Sequence, residues 1–129
     1  MFNLVLFFAL IGITTPEMND VSIPVTYSFT INWDDENCSC GELTNTELDW
    51  VLHYGTTEIH LEDNEPVSGN SYPWSDDDDI FTDCPDCYRL TANLKYFDNS
   101  GKCCEGTAVG YFDGDELING TAVLNITLN

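Results

Sequence analysis

Residues 21–33, Val21-Ser22-Ile23-Pro24-Val25-Thr26-Tyr27-Ser28-Phe29-Thr30-Ile31-Asn32-Trp33, decide the fold class. Every odd position is apolar, and every even one is Ser, Thr, Asn or Pro. A period of two sustained over thirteen residues turns one face to a core and the other to solvent. That is the mark of an antiparallel-type strand with one wet side. Pro24 has no N–H for a ladder, so the strand is expected to start late or to lie at a sheet edge.

Outward from this strand, residues 34–41 read as a turn that holds the acids Asp34, Asp35 and Glu36 and the first two cysteines. Residues 44–55 allow two readings. Thr44 and Glu47 have capping-box spacing, with Leu48, Val51 and Leu52 on one helical face. Equally, Trp50 to Tyr54 reads as a strand that turns at Gly55-Thr56 into Thr57, Ile59 and Leu61. In that second strand His60 is expected on the polar, solvent-facing side. Residues 62–83 read as a long polar loop carrying Pro66, Gly69, Pro73 and Asp76 to Asp79. Tyr88, Leu90, Ala92, Leu94 and Tyr96 alternate with polar residues as a further strand, and Asp98-Asn99-Ser100-Gly101 is a turn. Residues 107–112 and 121–128 supply two more strands, separated by a turn at Asp113-Gly114-Asp115. The sum is an all-β fold: an antiparallel β-sandwich, immunoglobulin-like in architecture, of about 5–7 strands with at most one short helix.

Six cysteines come as three close pairs: Cys38 and Cys40, Cys84 and Cys87, Cys103 and Cys104. An even count in a chain this short reads as a disulfide framework, whose connectivity spacing alone does not fix. Neighbours in an extended chain point to opposite faces, so Cys103 and Cys104 are expected to have different partners. The pairs are expected to clip the turn after the first strand, the acidic loop and the third hairpin together. Residues 1–15, MFNLVLFFALIGITT, form an uncharged apolar run too short for a membrane helix of ~20 residues. They have the length of a signal-peptide core, which leaves 16–129 as a single domain and implies secretion or display at the cell surface. In outline, with an apolar leader, six cysteines and β-strands, the chain resembles the MD-2-like lipid-recognition domains. Its cysteine spacing differs from theirs, and no ligand or residue role follows.

Twenty-three acidic residues face three basic ones, for a formal charge of −20. Nucleic acid and anionic membrane are excluded as partners, since both need clustered Lys and Arg. Carboxylates are the leading cation ligands, and Ca²⁺, which takes six to eight oxygens, is the one cofactor the composition suggests. Asp76, Asp77, Asp78, Asp79, Asp113 and Asp115 are the candidate metal ligands. None of these runs follows the EF-hand pattern, and a solvated acidic surface is the plainer reading. Tyr72 and Trp74 are the candidate ligand-binding aromatics because an apolar ring in a polar loop either tucks inward or waits for a ligand. Cys-Pro-Asp-Cys at 84–87 has the spacing of a thiol–disulfide exchange motif, but a strand and not a helix follows it. Zinc is the alternative if the thiols are reduced. Asn37, Asn119 and Asn125 head glycosylation sequons, and Asn125 is expected to face solvent.

No catalytic constellation is present in the sequence. The expectation is a secreted, non-enzymatic domain for binding or adhesion, taking a carbohydrate or protein ligand with Ca²⁺ assisting. The alternative is a structural subunit that associates through its edge strands.

Overall fold

The alternating stretch forms β1 (Ser22–Asp34), with Tyr27, Phe29, Ile31 and Trp33 buried on one face. The structure, a computed structural model, describes residues 22–82 and 84–129, so the expected signal segment and Asp83 lie outside the described residues. The remaining elements are β2 (Asn45–Tyr54), β3 (Thr57–Glu65), β4 (Ser71–Phe81), β5 (Tyr88–Asp98), β6 (Gly101–Phe112), α1 (Gly114–Asn119) and β7 (Val123–Thr127).

They build two sheets, a three-stranded one in the order β4-β1-β7 and a four-stranded one in the order β3-β2-β5-β6. The four-stranded sheet is antiparallel throughout. The smaller sheet is mixed, because β7 runs parallel to β1 while β4 runs antiparallel to it. This corrects the expectation of a purely antiparallel sandwich. Apolar inward faces of both sheets meet in one core, where Phe29 of β1 meets Trp50 of β2 edge-to-face at 4.9 Å.

Pro24 is neither late nor at an edge: β1 begins at Ser22 and is the middle strand of its sheet. Trp33 donates its amide to Asn70 on the β4 side, whereas Thr30 donates to Ala122 on the β7 side. Even-numbered amides of β1 thus face β7, and β7 pairs only with Thr30–Asp34. The donor Pro24 lacks would have pointed into the open part of that side.

The ambiguous stretch 44–55 is a strand. Leu48, Trp50 and Leu52 are fully buried at a period of two, whereas the helical set would have had to include Val51, which points to the other face. The acidic stretch is also a strand and not a loop: β4 pairs with β1 without a break from Ser71↔Asn32 to Phe81↔Ser22. Tyr72, Trp74 and Ile80 supply its inward face, and an edge position lets Asp76–Asp79 stay solvated. Where a turn was expected at 113–115, α1 begins instead. Its first turn is closed by Asp113, whose amide donates to Glu116 Oε1 at 2.9 Å.

Cys38 pairs with Cys104 and Cys40 with Cys103. The neighbours 103 and 104 do have different partners, and together they tie the turn after β1 to β6. Cys84 pairs with Cys87, so the third bond closes on itself and does not tie the acidic segment to the other two. No cysteine is free, which leaves no thiolate for zinc. Beyond β7, Asn129 and Glu105 exchange backbone hydrogen bonds of 3.1 and 3.2 Å, which joins the two sheets along the β6–β7 side. Gly106 permits this, because a Cβ there would run into the Thr127 carbonyl. The opposite side, between β3 and β4, has no such backbone seam among the described residues.

Candidate functional site

Side chains, not backbone, close the β3–β4 side. β2 sets the register of β3: Leu52 stands opposite His60, Val51 opposite Leu61, and Trp50 opposite Glu62. Since Trp50 and Leu52 point inward, so do His60 and Glu62, and Leu61 is left 44% exposed. The expectation of a solvated His60 is therefore reversed. An apolar Ile59/Leu61 pair suggested the opposite facing, but a bulge between Leu52 and His53 and the stronger pattern of β2 override it.

From the other sheet β4 contributes Trp74, which pairs in register with Phe29, and Asp76, which pairs with Tyr27. The three rings of Trp50, His60 and Trp74 lie mutually in contact. Trp50 stacks on His60 at 5.3 Å and 26°, His60 lies 4.8 Å from Trp74, and the two indoles meet edge-on at 5.0 Å. His60 Nε2 is 2.7 Å from Glu62 Oε2, and its Nδ1 is 4.0 Å from Asp76 Oδ2 across the two sheets. His60 and Glu62 keep 29% of their side-chain surface exposed and Asp76 keeps 50%, so the group is open to solvent at its carboxylate rim.

Beneath it lies Tyr27, 1% exposed. Burial, first, and then the charges of Asp76 and Asp78 push its hydroxyl up to about 12. The Trp74 indole N–H opposes that rise through a contact that falls short of hydrogen-bond geometry, so neither Tyr27 Oη nor Trp74 Nε1 has a partner. Trp50 Nε1 is likewise buried and unpartnered. Tyr72 is also raised, by burial first and then by Glu65 and Glu62, while Trp50 lowers it. An unmade hydrogen bond on a buried donor costs about 1–3 kcal/mol, and this cluster holds three such atoms within one group of rings.

The four consecutive aspartates do not all face the same way. Strand alternation sends Asp76 and Asp78 toward Tyr27, and Asp77 and Asp79 to the outer face, where Thr26 Oγ1 donates to Asp77 Oδ1 at 2.6 Å. Asp113 is committed elsewhere, since its Oδ1 accepts the Asp86 amide at 2.8 Å and so fixes the Cys84–Cys87 turn against α1. Asp115 is exposed in the first turn of α1, beside a depression of about 230 Å³ lined by Thr82, Cys84 and Pro85. Among the described residues, one trio of His, Cys, Asp or Glu ligand atoms lies mutually within 4.8 Å: Cys40, Asp98 and Cys103. Two of its three atoms are the sulfurs of one disulfide. The candidate aromatics Tyr72 and Trp74 are half-buried at the site; Trp33 of β1 is core and donates to Tyr96 Oη at 2.8 Å. Asn125 is exposed, as the alternation around it predicts.

The sequence reading missed His60, Glu62 and Tyr27. Tyr27 was visible as an inward position of β1, but nothing local says that its hydroxyl lacks a partner.

In sum, the half-buried Trp74 indole, the His60 imidazole and the carboxylates of Glu62 and Asp76 share one side of the sandwich, over the buried Trp50 and Tyr27. No Lys or Arg stands there: Arg89, Lys95 and Lys102 are all on β5 and β6. Aromatic faces beside uncompensated carboxylates are a cation-recognition chemistry. Set beside known proteins, the chain matches no family model, no curated protein sequence and no solved structure.

Proposed function

We propose that this protein is a secreted, non-enzymatic binding domain on a sandwich of immunoglobulin-like architecture. It takes a basic partner, the Lys or Arg side chains of a protein segment, on its β3–β4 side. One observation carries this reading: Glu62 and Asp76 flank His60 beside the Trp50 and Trp74 rings, Asp78 stands nearby on the Tyr27 side of β4, and no Lys or Arg of the chain is there to neutralise them. A guanidinium or ammonium resting on an indole face gains from the ring quadrupole, and its N–H donors match the waiting carboxylates. The net charge of −20 would steer a basic partner to the surface at long range.

Three disulfides fit an oxidising compartment, and no helix of the described residues is long and apolar enough to cross a membrane. In support of a non-catalytic role, the polar partners of His60 among the described residues are the carboxylates of Glu62 and Asp76. Ca²⁺ enters this reading as a competitor for the same carboxylates.

The test is calorimetric titration of the secreted protein with an Arg/Lys-rich peptide, an acid-rich control peptide and a panel of neutral oligosaccharides. Binding of the basic peptide alone is expected, weakening as salt rises and lost in Trp74→Ala and in Asp76→Asn/Asp78→Asn. Binding of an oligosaccharide without salt dependence, or basic-peptide binding that both variants retain, refutes it.

A further inference from the structure

The outer face of the four-stranded sheet differs from the rest of the molecule. Cross-strand pairing aligns Leu61, Val51, Thr91 and Val109 into one row that crosses all four strands. Leu61 and Val109 are 44% and 50% exposed, and a shallow depression of about 150 Å³ opens beside the row between Leu61, Asp63 and Asn93. Every cation of the chain stands on this sheet. Arg89 and Lys95 occupy outward positions of β5, and Lys102 of β6 reaches Glu105 Oε1 at 2.6 Å. The other half of the face is acidic: β2 presents Glu47 and Asp49, and β3 presents Glu58 and Asp63.

We propose that a second copy of this chain docks here, face to face, about a two-fold axis that runs parallel to the strands between β2 and β5. That axis lays β2 over the partner's β5 and β3 over the partner's β6. Residues then meet at equal heights along the strands. Leu61 faces the partner's Val109, Val51 faces the partner's Thr91, and Glu47 faces the partner's Lys95, with each contact made twice as an isologous interface requires. A two-fold axis perpendicular to the strands would instead set the acidic half on the acidic half. In the first orientation the exposed Leu61 meets the exposed Val109 and Glu47 meets Lys95, while Arg89 meets the partner's His53 and no acid.

The β4 edge offers no comparable surface to a second copy. β4 carries Asp76–Asp79 along its free edge, and like charges on an edge oppose pairing with its own kind. Four strands at ~4.8 Å span about 19 Å, and ten residues at ~3.4 Å run about 34 Å, a footprint of ~650 Å². That approaches the ~800 Å² per partner of a standard interface. Docking here also leaves the β3–β4 cluster of each copy on opposite flanks of the pair, free for ligand.

Sedimentation equilibrium of the secreted protein over a range of concentrations at physiological salt tests the inference. A monomer–dimer equilibrium is expected. Val109→Lys replaces an apolar anchor with an unpaired charge and should weaken association roughly a hundredfold. Lys95→Glu should also weaken it, and Lys95→Glu with Glu47→Lys should restore it. Val109 is half exposed, so near-UV circular dichroism of Val109→Lys should match that of the parent and separate lost association from lost folding. A monomer at every concentration overturns the proposal. So does a dimer that survives Val109→Lys, because its contact must then lie elsewhere.

Discussion

Two tyrosines buried in one core make opposite predictions for the same substitution. Tyr27 and Tyr96 are 1% and 5% exposed, and both phenols are pushed up to about 12 with burial as the first cause. Tyr96 is satisfied: its hydroxyl accepts from Trp33 Nε1 at 2.8 Å and donates to Asp35 Oδ2 at 3.0 Å. Tyr27 has no partner. Tyr96→Phe strips an acceptor from a buried indole N–H and should cost about 1–3 kcal/mol. Tyr27→Phe removes a hydroxyl that was desolvated without return, so the change should be neutral or stabilising by up to ~1 kcal/mol. Urea denaturation at pH 7 reads both values directly.

The alkaline limb gives a second reading. A phenol whose folded pKa lies above its unfolded one contributes stability that is full below pH 10.0 and is lost as pH rises through about 12. The parent should therefore lose stability between those values, and each Phe variant should lose less of it. A Tyr27→Phe variant destabilised as much as Tyr96→Phe would show that the hydroxyl is bonded in solution and would refute this reasoning.

The disulfides should differ in weight. The Cys38–Cys104 bond spans a sequence separation of 66 and the Cys84–Cys87 bond one of 3. Cys40–Cys103 closes nearly the same loop, so on the chain-entropy view Ala replacement of either long-range pair alone should cost ~2 kcal/mol, of both together ~4 or more, and of the Cys84–Cys87 pair ~2 or less, differences that thermal unfolding of the variants resolves. Gly106→Val should open the seam between β6 and the C-terminal residues, because its Cβ would meet the Thr127 carbonyl. The cost should be about 1–3 kcal/mol, with faster amide exchange at Glu105 and Asn129 marking the site. Loss of stability without faster exchange there would place the strain elsewhere.

Wherever a strand's own pattern was strong, the sequence alone identified it. Val21 to Trp33 and Tyr88 to Tyr96 were readable as strands because a long period-two repeat with one apolar face buries nowhere else than in a two-layer β-fold. The different partners of Cys103 and Cys104 followed for the same reason, since neighbours on a strand face apart.

The site was not readable, and the cause lies in pairing. His60 and Glu62 face inward because Trp50 and Leu52 across the ladder do, and a one-residue slip would have turned them out. Asp76–Asp79 read as a loop because their own side chains carry no strand pattern; β1 imposes one on them through eleven consecutive pairings. The parallel seating of β7 beside β1 joins residues about ninety apart in the chain, beyond the reach of any local pattern. Local periodicity tells a segment which face it can bury. Only the neighbouring strand, held by hydrogen bonds in one register, decides which face is buried and so which polar groups are brought together at the edge.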